Sequence, residues 1–173
     1  MCETIVGRRV AVLAERDFED LELYYPLLRL KEAGAEVKVV GLAGPSYLSK
    51  HGYPVNVDLT IDQARPEDFD AVVIPGGWAP DFLRRSQAVC TFVRHMWEMG
   101  KVVAAICHAG HVLVSAGILP GRTVTCVAAI RDDVVNAGAK YVDQEVVVDG
   151  NLITSRTPSD LPAFCRAIMR ALS

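Results

Sequence analysis

Cys107 and His108 form the adjacent pair whose types and setting could perform nucleophilic chemistry in this chain of 173 residues. Cys107 follows the apolar run Val102-Val-Ala-Ala-Ile106 and precedes His108-Ala-Gly-His111. A residue between a buried strand and the first turn of a helix sits on a tight elbow, projecting over the sheet edge. There its sulfur would face the positive end of the helix dipole, which favours thiolate over thiol. A free cysteine titrates at about pH 8.5, so this placement plus a base would make it nucleophilic near neutrality. His108 can supply that base. Neighbours on a helix do not face each other, so only an elbow would bring its Nδ1 to the sulfur.

Other groups converge on the same region. Gly76-Gly77 ends the apolar run Asp70–Pro75 and lets backbone approach closely. With the N–H opening the His108 helix, the Gly77 N–H could form an oxyanion hole, and Gly76 and Trp78 would line the substrate side. The segment Asp17-Phe-Glu19-Asp-Leu-Glu22 gathers acids at a helix start. Asp17 and Asp20 read as complements to the dipole. Glu19, if it points back across the strand ends, would be a carboxylic acid kept protonated by burial and able to hydrogen-bond the sulfur. His111 lies one turn from Cys107, but Cys-His-x-x-His without further ligands is a weak zinc signal, and no metal is expected. Nothing matches a phosphate loop or a dinucleotide fingerprint, so no cofactor is expected either. His51 and His95 read as surface residues. Cys2, Cys90, Cys126 and Cys165 read as inert core thiols, because nothing reactive flanks them.

The elements that must position these groups alternate between apolar strands and amphipathic helices. Strands are expected over residues 8–14, 36–42, 70–75 and 101–106, with an exposed strand or ribbon at 54–59 after a loop at 43–52. Helical spacing begins at Phe18 and stops at Gly34, Pro66 opens a short helix, and a longer one spans 81–99. Another covers 108–116. Further strands are expected at 123–127, 141–148 and 152–155, with a short helix near 130–137. A last helix starts from the capping pattern Thr157-Pro-Ser-Asp160. This alternation describes one α/β domain over residues 1–173, mostly parallel, with helices on both faces. Ligands in such sheets sit beyond the carboxyl ends of the strands, where 14–19, 75–78 and 106–110 meet.

Composition excludes several classes. Eighteen basic against 21 acidic residues give a net charge of −3, without blocks of like charge, so neither a nucleic-acid footprint nor a polybasic membrane anchor is present. The stretch from Val102 to Gly121 lacks charge and is near spanning length, yet Gly110, Gly117 and Pro120 interrupt it. It reads as a buried strand followed by a buried helix. Five scattered cysteines without a Cys-x-x-Cys pair, and no leader-like start, suit a reducing cytoplasm.

The chain resembles the PfpI family of intracellular proteases and amidases, within the glutamine-amidotransferase-like superfamily. The resemblance rests on Phe18-Glu-Asp-Leu-Glu-Leu, Lys50-His-Gly-Tyr, Asp58-Leu-Thr, Phe69-Asp-Ala-Val-Val-Ile-Pro-Gly-Gly, Ala105-Ile-Cys-His and Val146-Val-Val-Asp-Gly-Asn. It implies a flavodoxin-like three-layer α/β/α sandwich. It also implies Cys107 as nucleophile, His108 as its base, Glu19 as the acid touching the sulfur, and an oxyanion hole from Gly77 and His108. In this family an acid after Gly-Gly-x-x-Pro reaches into a neighbouring subunit and orients the catalytic histidine. That position is Asp81 here, one methylene shorter than the usual glutamate, and the implied assembly is a homodimer or larger. Two departures stand out, Ala109-Gly110 after Cys-His and Val127 where many members carry tyrosine.

Three roles follow from the resemblance, all starting from a reactive thiolate. The favoured one acts on reactive carbonyls, as a glutathione-independent glyoxalase or protein deglycase. The second is intracellular peptide or amide hydrolysis, and the third is a non-enzymatic oxidative-stress sensor or chaperone. A site partly closed by a neighbouring subunit suits small molecules better than a peptide.

Overall fold

In the computed structural model, which describes residues 4–173, eleven strands and six α-helices follow one another along the chain. Cys2 and the start of the chain, on which the leader expectation rests, lie outside the described residues. The order is β1 (Arg9–Ala14), α1 (Asp20–Glu32), β2 (Glu36–Gly41), β3 (Ser46–Leu48), β4 (Pro54–Asn56), β5 (Leu59–Thr60) and β6 (Ala71–Ile74). It continues with α2 (Ala79–Leu83), α3 (Gln87–Glu98), β7 (Val102–Ile106), α4 (Gly110–Ala116), β8 (Thr123–Val124) and α5 (Arg131–Asn136). The chain closes with β9 (Lys140–Tyr141), β10 (Val146–Asp149), β11 (Leu152–Ser155) and α6 (Leu161–Leu172).

Seven strands form one sheet in the order β10-β11-β7-β6-β1-β2-β5. All pairings in it are parallel except the β10–β11 edge hairpin. Every residue of β6 and β7 is buried, as expected for strands covered on both faces and made of Val, Ala and Ile. Each fully buried Val or Ile contributes about 1.5–3 kcal/mol of apolar burial, so these strands anchor the platform in the core. Helix α1 packs with α6 on one face, while α4 packs with α2, α3 and α5 on the other. The uncharged stretch 102–121 is β7 followed by α4, and among the described residues no helix is long and apolar enough to cross a membrane.

Four expectations about elements are corrected. The loop at 43–52 contains β3, paired antiparallel with β4, and the Tyr47 hydroxyl oxygen accepts the N–H groups of Leu42, Ala43 and Gly44. The helix expected over 81–99 is two helices. Ser86 takes an extended backbone between them, and its Oγ accepts the Val89 N–H at 3.3 Å. The strand expected over 141–148 splits because Tyr141 pairs with β8 outside the main sheet, while Val146 pairs with β11. The last helix lacks its expected cap: Thr157 Oγ1 lies 2.9 Å from Ser159 Oγ, and the Asp160 carboxylate accepts from Arg156.

The Ser86 cap gives a direct test. Ser86→Ala should lower the unfolding free energy by about 1 kcal/mol, measured by urea denaturation, because one helix-start N–H loses its acceptor. An unchanged midpoint would show that α3 starts without help from the hydroxyl.

Candidate active site

The neighbouring strands β1, β6 and β7 end side by side, and their connections are tied together through backbone groups. Asp17 N–H donates to Leu48 O, Lys50 N–H to Phe18 O, Glu19 N–H to Gly76 O and Trp78 N–H to Asp17 O, all at 2.8–3.1 Å. Two non-glycine residues adopt left-handed backbone here, Asp17 at φ 59° and Cys107 at φ 61°. That region is costly for a residue with a side chain and persists where surroundings fix it. The double glycine makes the approach possible. A Cβ on Gly76 would lie 2.3 Å from Glu22 Oε2 and 2.8 Å from Cys107 Cβ; one on Gly77 would lie 2.4 Å from Glu19 N.

The left-handed turn brings adjacent side chains together, with Cys107 Sγ 3.4 Å from His108 Nδ1. The backbone N–H groups of His108 and Gly77 also hydrogen-bond the sulfur, so the two expected oxyanion donors converge on Sγ itself. The carboxyl group beside the thiol belongs to Glu22, which corrects the assignment of Glu19. Glu19 is the N-cap of α1, and its Oε2 accepts the Glu22 N–H at 2.9 Å. Glu22, within the first turn and fully buried, directs its carboxyl under the elbow, where Oε2 accepts the Gly76 N–H at 2.8 Å. Its Oε1 is buried without a partner of ordinary hydrogen-bond geometry. The neighbour interacting with this carboxyl is the Cys107 thiol.

Electrostatics follow from that burial. Desolvation, then the Glu19 charge, pushes Glu22 up to about 7, against the opposing Gly76 N–H. Burial and the Glu22 charge push the Cys107 thiol up to about 12, outweighing the N–H groups of His108 and Gly77. Helix dipole alone therefore does not ionise this sulfur, and α4 has only seven residues after a 3-10 turn at Cys107–Ala109. The proton of this pair therefore rests on the sulfur, and the ionised Glu22 carboxyl is the group placed to take it.

His108 is half-buried between two rings, Trp78 at 5.7 Å and His111 at 6.2 Å between centroids. Desolvation chiefly, then the charges of His111 and Lys50, pushes His108 below its ordinary value. His111 Nε2 lies 3.6 Å from Asp133 Oδ2 on α5. Trp78 is exposed beside the elbow, and Gly76 lies under it. Asp81 is on α2, where its carboxylate pairs with Arg85 rather than with His108 of the same chain. Sequence reasoning missed Lys50, whose charge reaches both Glu22 and His108. Cys90, Cys126 and Cys165 are buried free thiols. Among the described residues, no group of three or more His, Cys, Asp or Glu is placed to hold a metal ion.

Residues 8–171 match the DJ-1/PfpI family. The chain is 49% identical over 164 residues to "Deglycase TK1284" of Thermococcus kodakarensis, covering 95% of this chain and 99% of that protein. It is 46% identical over 164 residues to "Deglycase PfpI" of Pyrococcus furiosus, with the same coverage. Among solved structures, Drosophila melanogaster DJ-1beta matches with a TM-score of 0.91 at 31% identity, covering 96% of this chain and 91% of that one. A two-domain Anabaena variabilis protein with DJ-1/ThiJ/PfpI-like and ferritin-like domains matches with a TM-score of 0.94 at 46% identity, covering 96% of this chain and 48% of that one.

The Glu22 environment sets a pH-dependent stability. Its value rises from 4.5 to about 7 on folding, so the native state holds the proton more tightly through that window. Stability from this group is complete below the lower value and is lost as pH rises through the upper one. Glu22→Gln keeps an acceptor for Gly76 and cannot ionise. Its midpoint of thermal unfolding, relative to the parent protein, should climb between pH 4.5 and 7.5 and then level off. Parallel curves for the two proteins would contradict this assignment.

Proposed function

Since the chain belongs to the DJ-1/PfpI family, we propose that it is a cysteine-dependent enzyme of the deglycase and glutathione-independent glyoxalase type, acting on reactive carbonyls through Cys107. The observation that carries this reading is the left-handed Cys107, whose sulfur meets His108 Nδ1 at 3.4 Å, two backbone donors and the buried Glu22 carboxyl. The deglycase names of relatives that align over nearly their whole length support the same substrate class. On this reading a small aldehyde would meet the sulfur beside Trp78 and the double glycine.

In the proposed reaction, Glu22 takes the thiol proton and Sγ adds to the aldehyde carbon of methylglyoxal. The carbonyl oxygen takes a proton from Glu22, giving a hemithioacetal. His108 then removes the proton on that carbon and returns it to the adjacent ketone carbon, with the hydroxyl proton passing to the ketone oxygen. A lactoyl thioester results, and its oxyanion faces the Gly77 and His108 N–H groups during hydrolysis. Water cleaves the thioester, so methylglyoxal plus water gives lactate and the free thiol. With an amine adduct, Sγ displaces the amine at the hemiaminal carbon, the amine leaves with a proton, and the same hemithioacetal is reached.

Asp81 completes the proposal as the group that orients His108 of a neighbouring copy. Its carboxylate on α2 pairs with Arg85 and not with His108 of its own chain, which suits that role, and the exposed stripe of Leu21, Tyr25 and Leu28 on α1 suits assembly into a homodimer or larger. The free thiols among the described residues suit a reducing compartment such as the cytoplasm.

The test supplies purified protein with methylglyoxal in the absence of glutathione, and separately with a set of peptide amides. Lactate should form with the parent protein and fall at least about 100-fold with Cys107→Ser, in line with loss of a covalent nucleophile. Peptide cleavage without lactate would move the chain to the amidase class. Rapid peroxide oxidation of Cys107 with no turnover would make it a sensor instead.

A further inference from the structure

Of the two tryptophans, Trp97 packs against the core, whereas Trp78 is 61% exposed. Aromatic side chains carry the largest apolar surface a site can bury, so an open one beside a nucleophile offers a substrate group the largest gain. The Trp78 indole is tilted 41° to the His108 ring, with centroids 5.7 Å apart. Among the described residues, no other ring or cation packs on it.

This indole is fixed at its root. Gly77 before it takes φ 77°, and a Cβ there would meet Glu19 N at 2.4 Å and Asp17 O at 2.6 Å. The Trp78 N–H donates to Asp17 O at 2.8 Å, and Trp78 is the residue from which α2 starts. Under the sulfur the space is filled, since a Cβ on Gly76 would lie 2.8 Å from Cys107 Cβ and 2.3 Å from Glu22 Oε2. Asp81, further along α2, is held by Arg85 and leaves the indole open within the chain.

We propose that Trp78 is a specificity-determining residue of the Cys107 site, its indole packing against an aryl substituent so that aromatic 2-oxoaldehydes are favoured over methylglyoxal. This rests on the carbonyl chemistry proposed above and names its substrate class. With the floor closed by Gly76 and Glu22, the substituent of a carbonyl joined to Sγ extends outward past His108, where the indole stands. Two flat rings then meet in an offset or edge-on contact. Phenylglyoxal is the simplest such substrate. Sγ adds to its aldehyde carbon, the proton on that carbon moves to the ketone carbon, and one water cleaves the thioester to give mandelate and the free thiol.

Parent protein, Trp78→Phe and Trp78→Ala are compared by kcat/KM for mandelate from phenylglyoxal and for lactate from methylglyoxal. The ratio of the two should fall roughly fivefold in Trp78→Ala, mainly through KM for phenylglyoxal, and stay within about twofold in Trp78→Phe. Equal losses on both substrates would make the indole a prop for His108 and overturn the proposal. A ratio unchanged in Trp78→Ala would do the same, and a smaller assembly by sedimentation would then assign the indole to a neighbouring copy. Phenacyl bromide and bromoacetone separate this from the enzymatic reading, since each leaves on sulfur the carbon skeleton of the matching hemithioacetal. Sγ displaces bromide and the thiol proton is lost, so the ratio of the two rates does not respond to a change in thiol ionisation. Measured at Cys107 by peptide mass mapping, that ratio should also fall in Trp78→Ala. If no protein forms lactate or mandelate, the carbonyl reading fails, while a fall in the alkylation ratio still supports the aryl platform. A flat alkylation ratio sinks the platform.

Discussion

A left-handed backbone at a residue with a side chain survives only where its neighbours over-determine it, and Cys107 is such a residue. Behind it lies β7, buried at every position and bonded on both sides within the sheet. Beneath it lies Gly76, the one residue type that leaves room for both the cysteine Cβ and the Glu22 carboxylate. In the extended or right-handed regions, adjacent side chains diverge, so the sulfur and the His108 ring would separate. The approach of the two groups therefore depends on the left-handed turn at Cys107, which follows directly on the fully buried strand β7.

The electrostatics build on the same bend. The elbow places sulfur and carboxyl in one dry space, so neither can ionise without raising the cost for the other. Two N–H groups favour charge on the sulfur, and one favours charge on the carboxyl. The site thus holds a thiol proton beside a raised carboxyl rather than a permanently ionised sulfur, and in the reaction we propose that proton is passed to the carbonyl oxygen as sulfur adds.

Much of this was legible in the chain. The uncharged run through residues 102–106, the Cys-His pair after it and the double glycine after Ile74-Pro75 announce the strand ends that meet. The choice between Glu19 and Glu22 was not legible, because both lie near a helix start three residues apart and so share a face. What separates them is the register of the first turn: α1 begins at Asp20, so the Glu19 carboxylate is engaged as its cap and Glu22 turns inward. An acid three residues before another acid at a helix start is the signal that could have shown it. The break at Ser86 was hidden similarly, since apolar spacing continues across it and only the hydroxyl marks the restart.

The hydrogen bonds that join the 14–19, 46–53 and 75–78 connections have a consequence for how molecules come and go. Main-chain groups that a hinged cover would have to release are already engaged with one another across three separate loops. Entry therefore depends on the swing of exposed side chains such as Trp78, which move in nanoseconds, rather than on slow opening of backbone. Access to the Cys107 sulfur is thus set by side chains standing on a backbone that these bonds hold in place.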